Sequence, residues 1–172
     1  MQHSVSELMI QIIEALDKIV RKNDLTLIIK PHPHQELPVY YKIRDRFATL
    51  SNVKVLNRES DTYLWLARSK VVVGMFSSVL LEAACYEKDV IVSSFNQLDE
   101  SINMSRSGLT LEATTEIELE EIILDLLNKN GRWKQLQISR KNYLDRNIQF
   151  KPPYTTYMFD QFIASKLLTA KE

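Results

Sequence analysis

KVVVGMFSSVLLEAAC, residues 70–85, joins three consecutive valines to an apolar helical pattern through Gly74-Met75-Phe76-Ser77. A strand without polar alternation is one buried on both faces, the mark of a parallel sheet sandwiched by helices. Ser77 and Ser78 stand where a helix N-cap belongs, and the helix they open carries Glu82. Strand, tight turn and helix in this order form half of a βαβ unit, so this stretch decides for an α/β fold.

The neighbouring segments extend the same alternation. Upstream, Val5, Leu8, Ile12, Leu16 and Ile19, joined by Met9, Ile13 and Val20, recur at three- and four-residue spacing after Ser4 and Ser6, which predicts an amphipathic helix. LTLIIK (25–30) predicts a covered strand, stopped by Pro31 and Pro33. A helix is expected over 38–49, with Pro38 in its first turn and Tyr41, Ile43, Phe47 and Leu50 as its apolar contacts. NVKVL (52–56) reads as a strand, and ESDTYLWLARS (59–69) as a helix capped by Ser60 with Asp61 in its first turn.

Downstream, DVIVSS (89–94) is the next strand and GLTLEA (108–113) a short edge strand. Thr115 to Glu118 spell a capping box before the stripe Leu119, Ile122, Ile123, Leu126 and Leu127. Gly131 is expected to break that helix; residues 133–147 read as helical, and a last helix is expected over 157–168 behind Pro152-Pro153. The valine run of the opening stretch is expected to be the most buried strand. The whole predicts one Rossmann-like domain over 1–172: a parallel sheet of about five strands with helices on both faces, plus extra C-terminal helices.

Composition narrows the function. Of 172 residues, 45% are hydrophobic, enough for a real core, and only three are glycine and five proline. The 22 basic and 22 acidic residues cancel, so no global field steers the chain onto nucleic acid. Cys85 is the only cysteine, which excludes an internal disulfide and a cysteine-rich zinc cluster; its apolar neighbours suggest a buried structural thiol. No apolar run approaches the roughly 20 residues that cross a bilayer, and the N-terminus lacks the plan of a signal peptide, so a cytoplasmic location is expected. The G-x-G-x-x-G and G-x-x-x-x-G-K-[ST] phosphate motifs and the G-x-S-x-G elbow are absent, which argues against a dehydrogenase, an ATPase or a serine hydrolase.

Ligands of parallel α/β sheets bind outside the carboxyl ends of the strands. Two such ends are chemically loaded here. One is IIKPHPHQE (28–36), where His32 and His34 flank Pro33 and Lys30 precedes them; taken alone it fits a metal site, an acid–base group or a stiff turn. The other is Ser77-Ser78 at a helix start, which fits either an ordinary cap or a phosphate site made by free N–H groups and the helix dipole. Glu82 alone is equally open.

In order and spacing, LIIKPHPHQE, then NVKVLNRESDTYLWLARSKVVVGMFSSVLLEAA, then DVIV resemble the C-terminal, donor-nucleotide half of a GT-B type glycosyltransferase. The likeness runs from about Val5 to Ser94 and is strongest to bacterial capsular-polysaccharide transferases, with the CDP-glycerol glycerophosphotransferase and bacterial sialyltransferase groups beside them. Gly74-Met75-Phe76 before the serines leans toward the capsular group. The resemblance implies that His32 meets the phosphate of a nucleotide-activated donor and helps neutralise the leaving group. It implies further that Ser77 and Ser78 hold phosphate oxygens and that Glu82 hydrogen-bonds the ribose hydroxyls. Asn57 and Arg58 lie where such proteins frame the base, Lys30 adds charge, and His34 is a surface neighbour.

No metal and no cofactor is implied, only the activated donor as substrate. The acceptor domain of such enzymes precedes this half, so the chain is expected to need an N-terminal domain or a partner subunit and to bind a nucleotide without transferring anything alone. A non-catalytic nucleotide-binding module and a UDP-GlcNAc 2-epimerase-like enzyme are the alternatives. A sheet lacking its first strand is also a reason to look for a homodimer. Lys129, Arg132, Lys134, Arg140, Lys141, Arg146 and Lys151 face only Asp145 in their segment; they suggest either a weak contact with the inner membrane face or a solvated face offsetting Glu116, Glu118, Glu120 and Glu121.

Overall fold

The computed structural model describes residues 5–33, 35–75, 77–95, 105 and 107–147. Over these residues it is α/β, with six helices and five strands that pair in parallel. His34, Phe76, Lys151 and the expected last helix over 157–168 lie outside the described residues. The chain divides into two compact units, Met1–Thr62 and Tyr63–Glu172.

In the first unit, α1 (Val5–Lys22) leads to β1 (Leu27–Ile29), α2 (Leu37–Phe47) and β2 (Val53–Val55). Leu27 pairs with Val53 and Ile29 with Val55. These four residues share one face because side chains alternate along a strand. They pack with Ile10 and Ile13 of α1 and with Ile43 and Phe47 of α2. Pro38 sits in the first turn of α2, as expected. The inward aromatic is Tyr40, however, and Tyr41 is 43% exposed. Tyr40 lies three residues before Ile43 and seven before Phe47, so it shares their stripe, whereas Tyr41 is rotated off it.

The second unit runs α3 (Thr62–Arg68, with Thr62 the last residue of the first unit), β3 (Val71–Gly74), α4 (Ser78–Cys85), β4 (Asp89–Ser93), β5 (Leu111–Ala113), α5 (Glu116–Leu127) and α6 (Gly131–Asn147). Its sheet has the order β3-β4-β5. Val72, Val90 and Val92 pack with Leu66 of α3, Leu80, Ala83 and Ala84 of α4 and Tyr143 and Leu144 of α6. Ile91, on the alternate face, is fully buried, and α5 packs along all three strands. The most buried strand is thus β4 and not the valine run: every residue of β3 is only half-buried. The reason is position, since β4 lies between two strands and β3 has one partner in this sheet. The five expected strands therefore occur as a pair and a triplet.

The helix boundaries follow local chemistry. Thr115 caps α5 by accepting from the Glu118 N–H at 3.1 Å. Glu118 reaches back to the N–H and hydroxyl of Thr114, at 2.8 and 2.9 Å, one residue beyond the usual capping-box target. The break after α5 is not Gly131, which is the first residue of α6. It is Lys129, in the left-handed region at φ 54, with the Asn130 N–H donating to the Asp125 carbonyl at 2.9 Å. Glu87 (φ 60) ends α4 in the same way, the Lys88 N–H donating to Ala83 at 3.0 Å, and Asp24 (φ 50) follows α1, the Leu25 N–H donating to Val20 at 2.9 Å. These are Schellman closures made without glycine. No described helix is long and apolar enough to cross a membrane.

Candidate functional site

The candidate residues fall into two sets, one in each unit. In the first unit they gather at the carboxyl ends of β1 and β2. The Leu56 N–H donates to the Ile29 carbonyl at 2.9 Å, extending the strand pairing by one step and bringing the two following loops side by side. The Gln35 N–H donates to the His32 carbonyl at 2.9 Å and closes the His-Pro segment as a turn. His32 is exposed at this turn, with proline on either side restricting its backbone.

Lys30 and Arg58 bridge the two loops. The Lys30 ammonium donates to the Pro31 and Arg58 carbonyls, each at 2.8 Å. Arg58 Nη1 donates to the Gln35 carbonyl at 2.9 Å, and its Nη2 lies 3.7 Å from Glu59. Burial lowers the Lys30 pKa, partly opposed by Glu59. Asn57 is exposed, and its side-chain carbonyl accepts from the Tyr40 hydroxyl at 3.4 Å. Tyr40 and Gln35 were not legible as partners in sequence, because nothing local links them to positions 57 and 58.

In the second unit the set lies at the end of β3. At Gly74 a Cβ would stand 3.0 Å from a Leu80 methyl, tighter than ordinary contact, so the absent side chain lets Leu80 of α4 pack close against the end of the strand. Ser77, with extended backbone, is the N-cap of α4, and its Oγ accepts from the Val79 N–H at 3.2 Å. Ser78 is exposed at the first helical position. The cap hydroxyl is thus engaged with the helix, while the dipole and the remaining first-turn N–H groups favour an anion at this end.

Glu82 lies in the second turn of α4, half-buried, and its Oε2 accepts from the Tyr63 hydroxyl of α3 at 2.7 Å. Tyr63 is a further residue that sequence reading missed; its only signal was an aromatic on the exposed side of a short helix. Cys85 is half-buried, and burial, with the Glu82 charge, holds its thiol above the ordinary value. It is therefore a weak nucleophile. Among the described residues no group of three or more His, Cys, Asp or Glu is placed to hold a metal.

The basic segment is less free than its count implied. Arg140 is 3% exposed and donates to the Lys88 carbonyl at 2.7 Å, to the Gln137 side chain, and lies 3.7 Å from Asp89. Arg132 pairs with Glu121 at 3.2 Å and Asp125 at 3.5 Å, and Lys129 lies over the Trp133 ring.

The model of the alpha-2,8-polysialyltransferase (POLYST) family matches residues 5–96, more than half of the chain and the stretch that holds both sets of candidate residues at the strand ends. No curated protein and no solved structure matches the chain.

Proposed function

The chain belongs to the alpha-2,8-polysialyltransferase family, and from that premise we propose that it forms the donor-nucleotide half of a glycosyltransferase of capsular polysaccharide synthesis. The observation that carries this reading is that one family match spans both loaded strand ends, the His32 turn and the start of α4. In this reading the donor is a nucleotide-activated sialic acid, the sugar that the family's name carries, and CMP is its first probe. Its departing phosphate gains negative charge in the transition state, and donors fixed in advance stabilise that charge without reorganising.

In this reading His32 offers a ring N–H to the phosphate, and Ser77 and Ser78 present the N-terminus of α4 to phosphate oxygens. Glu82 accepts from the ribose hydroxyls, Asn57 frames the base, and Lys30 and Arg58 add positive charge at the ends of β1 and β2. The architecture is that of a GT-B donor half, a Rossmann-like sheet of about five strands; the strand-helix alternation and the all-parallel pairings within each sheet support it. No cofactor or metal takes part. The chain binds the nucleotide and transfers nothing without an acceptor domain or partner subunit. It works in the cytoplasm as a monomer or homodimer, with at most a weak membrane contact through Lys134, Lys141 and Arg146.

Calorimetry with CMP, CDP and UDP tests the proposal. CMP binds best and His32→Ala weakens it by about tenfold, the loss of one charge-assisted hydrogen bond. Failure to bind any nucleotide would favour a module without this ligand, and turnover of a labelled donor by the chain alone would overturn its dependence on a partner.

A further inference from the structure

The two cations at the ends of β1 and β2 point their donors at the backbone. Lys30 leaves the first loop and reaches the Arg58 carbonyl in the second, at 2.8 Å. Arg58 leaves the second loop and reaches the Gln35 carbonyl in the first, at 2.9 Å. The straps land on either side of His32, and the Gln35 N–H to His32 carbonyl bond closes the turn between them. A charged donor on a neutral carbonyl is one of the stronger single contacts in a protein, and two that cross in opposite directions remove most ways for one loop to move without the other. Lys30 is half-buried and its second contact, to the Pro31 carbonyl at 2.8 Å, fixes the peptide just before His32.

From this crossed pair we infer that Lys30 and Arg58 are positioning residues that hold the His32 turn in register with the loop after β2, and that neither touches the donor. The inference rests on the reading of His32 as the phosphate contact. A ligand-reaching role would have to use the Arg58 N–H groups other than the one on Gln35, or the third Lys30 N–H, beside contacts that already fix both side chains on the loops.

Two measurements test it. The first is amide hydrogen exchange by NMR on the ligand-free chain. Arg58→Met keeps the aliphatic stem but removes the donors, and it speeds exchange of the Gln35 amide by roughly tenfold while the Ile29 and Val55 amides keep their rates. Unchanged Gln35 exchange overturns the clamp. Lys30→Met gives the same answer from the other strap, should Arg58→Met fail to fold. The second is a CMP-binding cycle. Arg58→Met weakens CMP about as much as His32→Ala, and the double variant binds no worse than His32→Ala alone. Additive losses would show that Arg58 touches the nucleotide and would overturn the positioning role. If wild-type and His32→Ala bind CMP alike, the phosphate reading has failed, and the exchange result still decides the clamp by itself.

Discussion

Removing Arg140 tests the energetics of the second unit most sharply. Its guanidinium is enclosed and lies 3.7 Å from the Asp89 carboxylate, which is itself only 16% exposed. Arg140→Ala leaves that carboxylate without its cation and strands the Lys88 carbonyl that Arg140 held at 2.7 Å. Breaking a buried pair from one side costs roughly 3–5 kcal/mol. Asp89 keeps the Gln137 donor at 3.0 Å and the Trp133 side chain as a further donor, so the low end, about 3 kcal/mol, is expected. For a chain of this size that lowers Tm by about 6–12 °C.

The pH dependence fixes the cause. Burial already holds the Asp89 pKa above 3.8 in the folded protein, with Arg140 pulling it back. A raised carboxyl pKa means that the native state binds the proton more tightly than the unfolded chain, so ionisation erodes stability as pH rises through the folded pKa. Without Arg140 the pKa rises further. The part of the Arg140→Ala deficit that comes from the uncompensated carboxylate therefore shrinks as pH falls and grows as pH rises, while the part from the stranded Lys88 carbonyl does not titrate. Urea unfolding at about pH 4.5 and pH 7.5 reads this directly, and Asp89→Asn in the variant recovers most of the neutral-pH loss. An equal deficit at both pH values, or one under about 1 kcal/mol, would refute the uncompensated-charge account.

Three further outcomes follow from named contacts. Tyr63→Phe removes the hydroxyl on Glu82 and leaves the fold intact; in calorimetry it narrows the preference for CMP over its 2′-deoxy analogue several-fold, and Glu82→Gln narrows it more. An unchanged preference in both variants would remove Glu82 from the ribose. Ser77→Ala deletes the α4 cap and costs about 1 kcal/mol in urea unfolding, with Ser77→Asp close to wild type. Gly108 has φ +82 and a Cβ there would lie 2.9 Å from Ser139 Cβ, so Gly108→Ala costs about 2 kcal/mol or more; a variant as stable as wild type would show that the turn can relax.

The parts of this fold that were legible in sequence are those written in local periodicity. The stripe of α1, the valines of β3, the cap at Ser77 and the box at Thr115 each use residues within a few positions of one another, and the structure shows all four. Tyr41 was mistaken for Tyr40 because an aromatic pair straddles the edge of a helical stripe. Gly131 was mistaken for the break because Lys129 adopts a conformation that its side chain disfavours. For the candidate site, positions such as His32 and Ser77 could be named, but their surroundings could not. Lys30 finds Arg58 at a separation of 28 residues and Arg58 finds Gln35 at 23, and the burial of Arg140 depends on Asp89 and Lys88 about fifty positions away. Such pairings are set by which loops the strand register brings together, and single-sequence patterns carry no trace of them.

The closures at Asp24, Glu87 and Lys129 bear on how this protein could be hardened. A side chain held in the left-handed region costs the native state about 1–2 kcal/mol, while glycine there would give the unfolded chain extra freedom worth up to about 1 kcal/mol. The difference favours glycine by a fraction of a kcal/mol to about 1 kcal/mol at each position. Asp24 and Glu87 are exposed, but Glu87 also acts on the buried Arg140 charge, so the unopposed gain is expected at Asp24. A chain with three glycines in 172 residues thus retains thermal headroom at its helix ends, open to engineering without altering a residue at either strand edge.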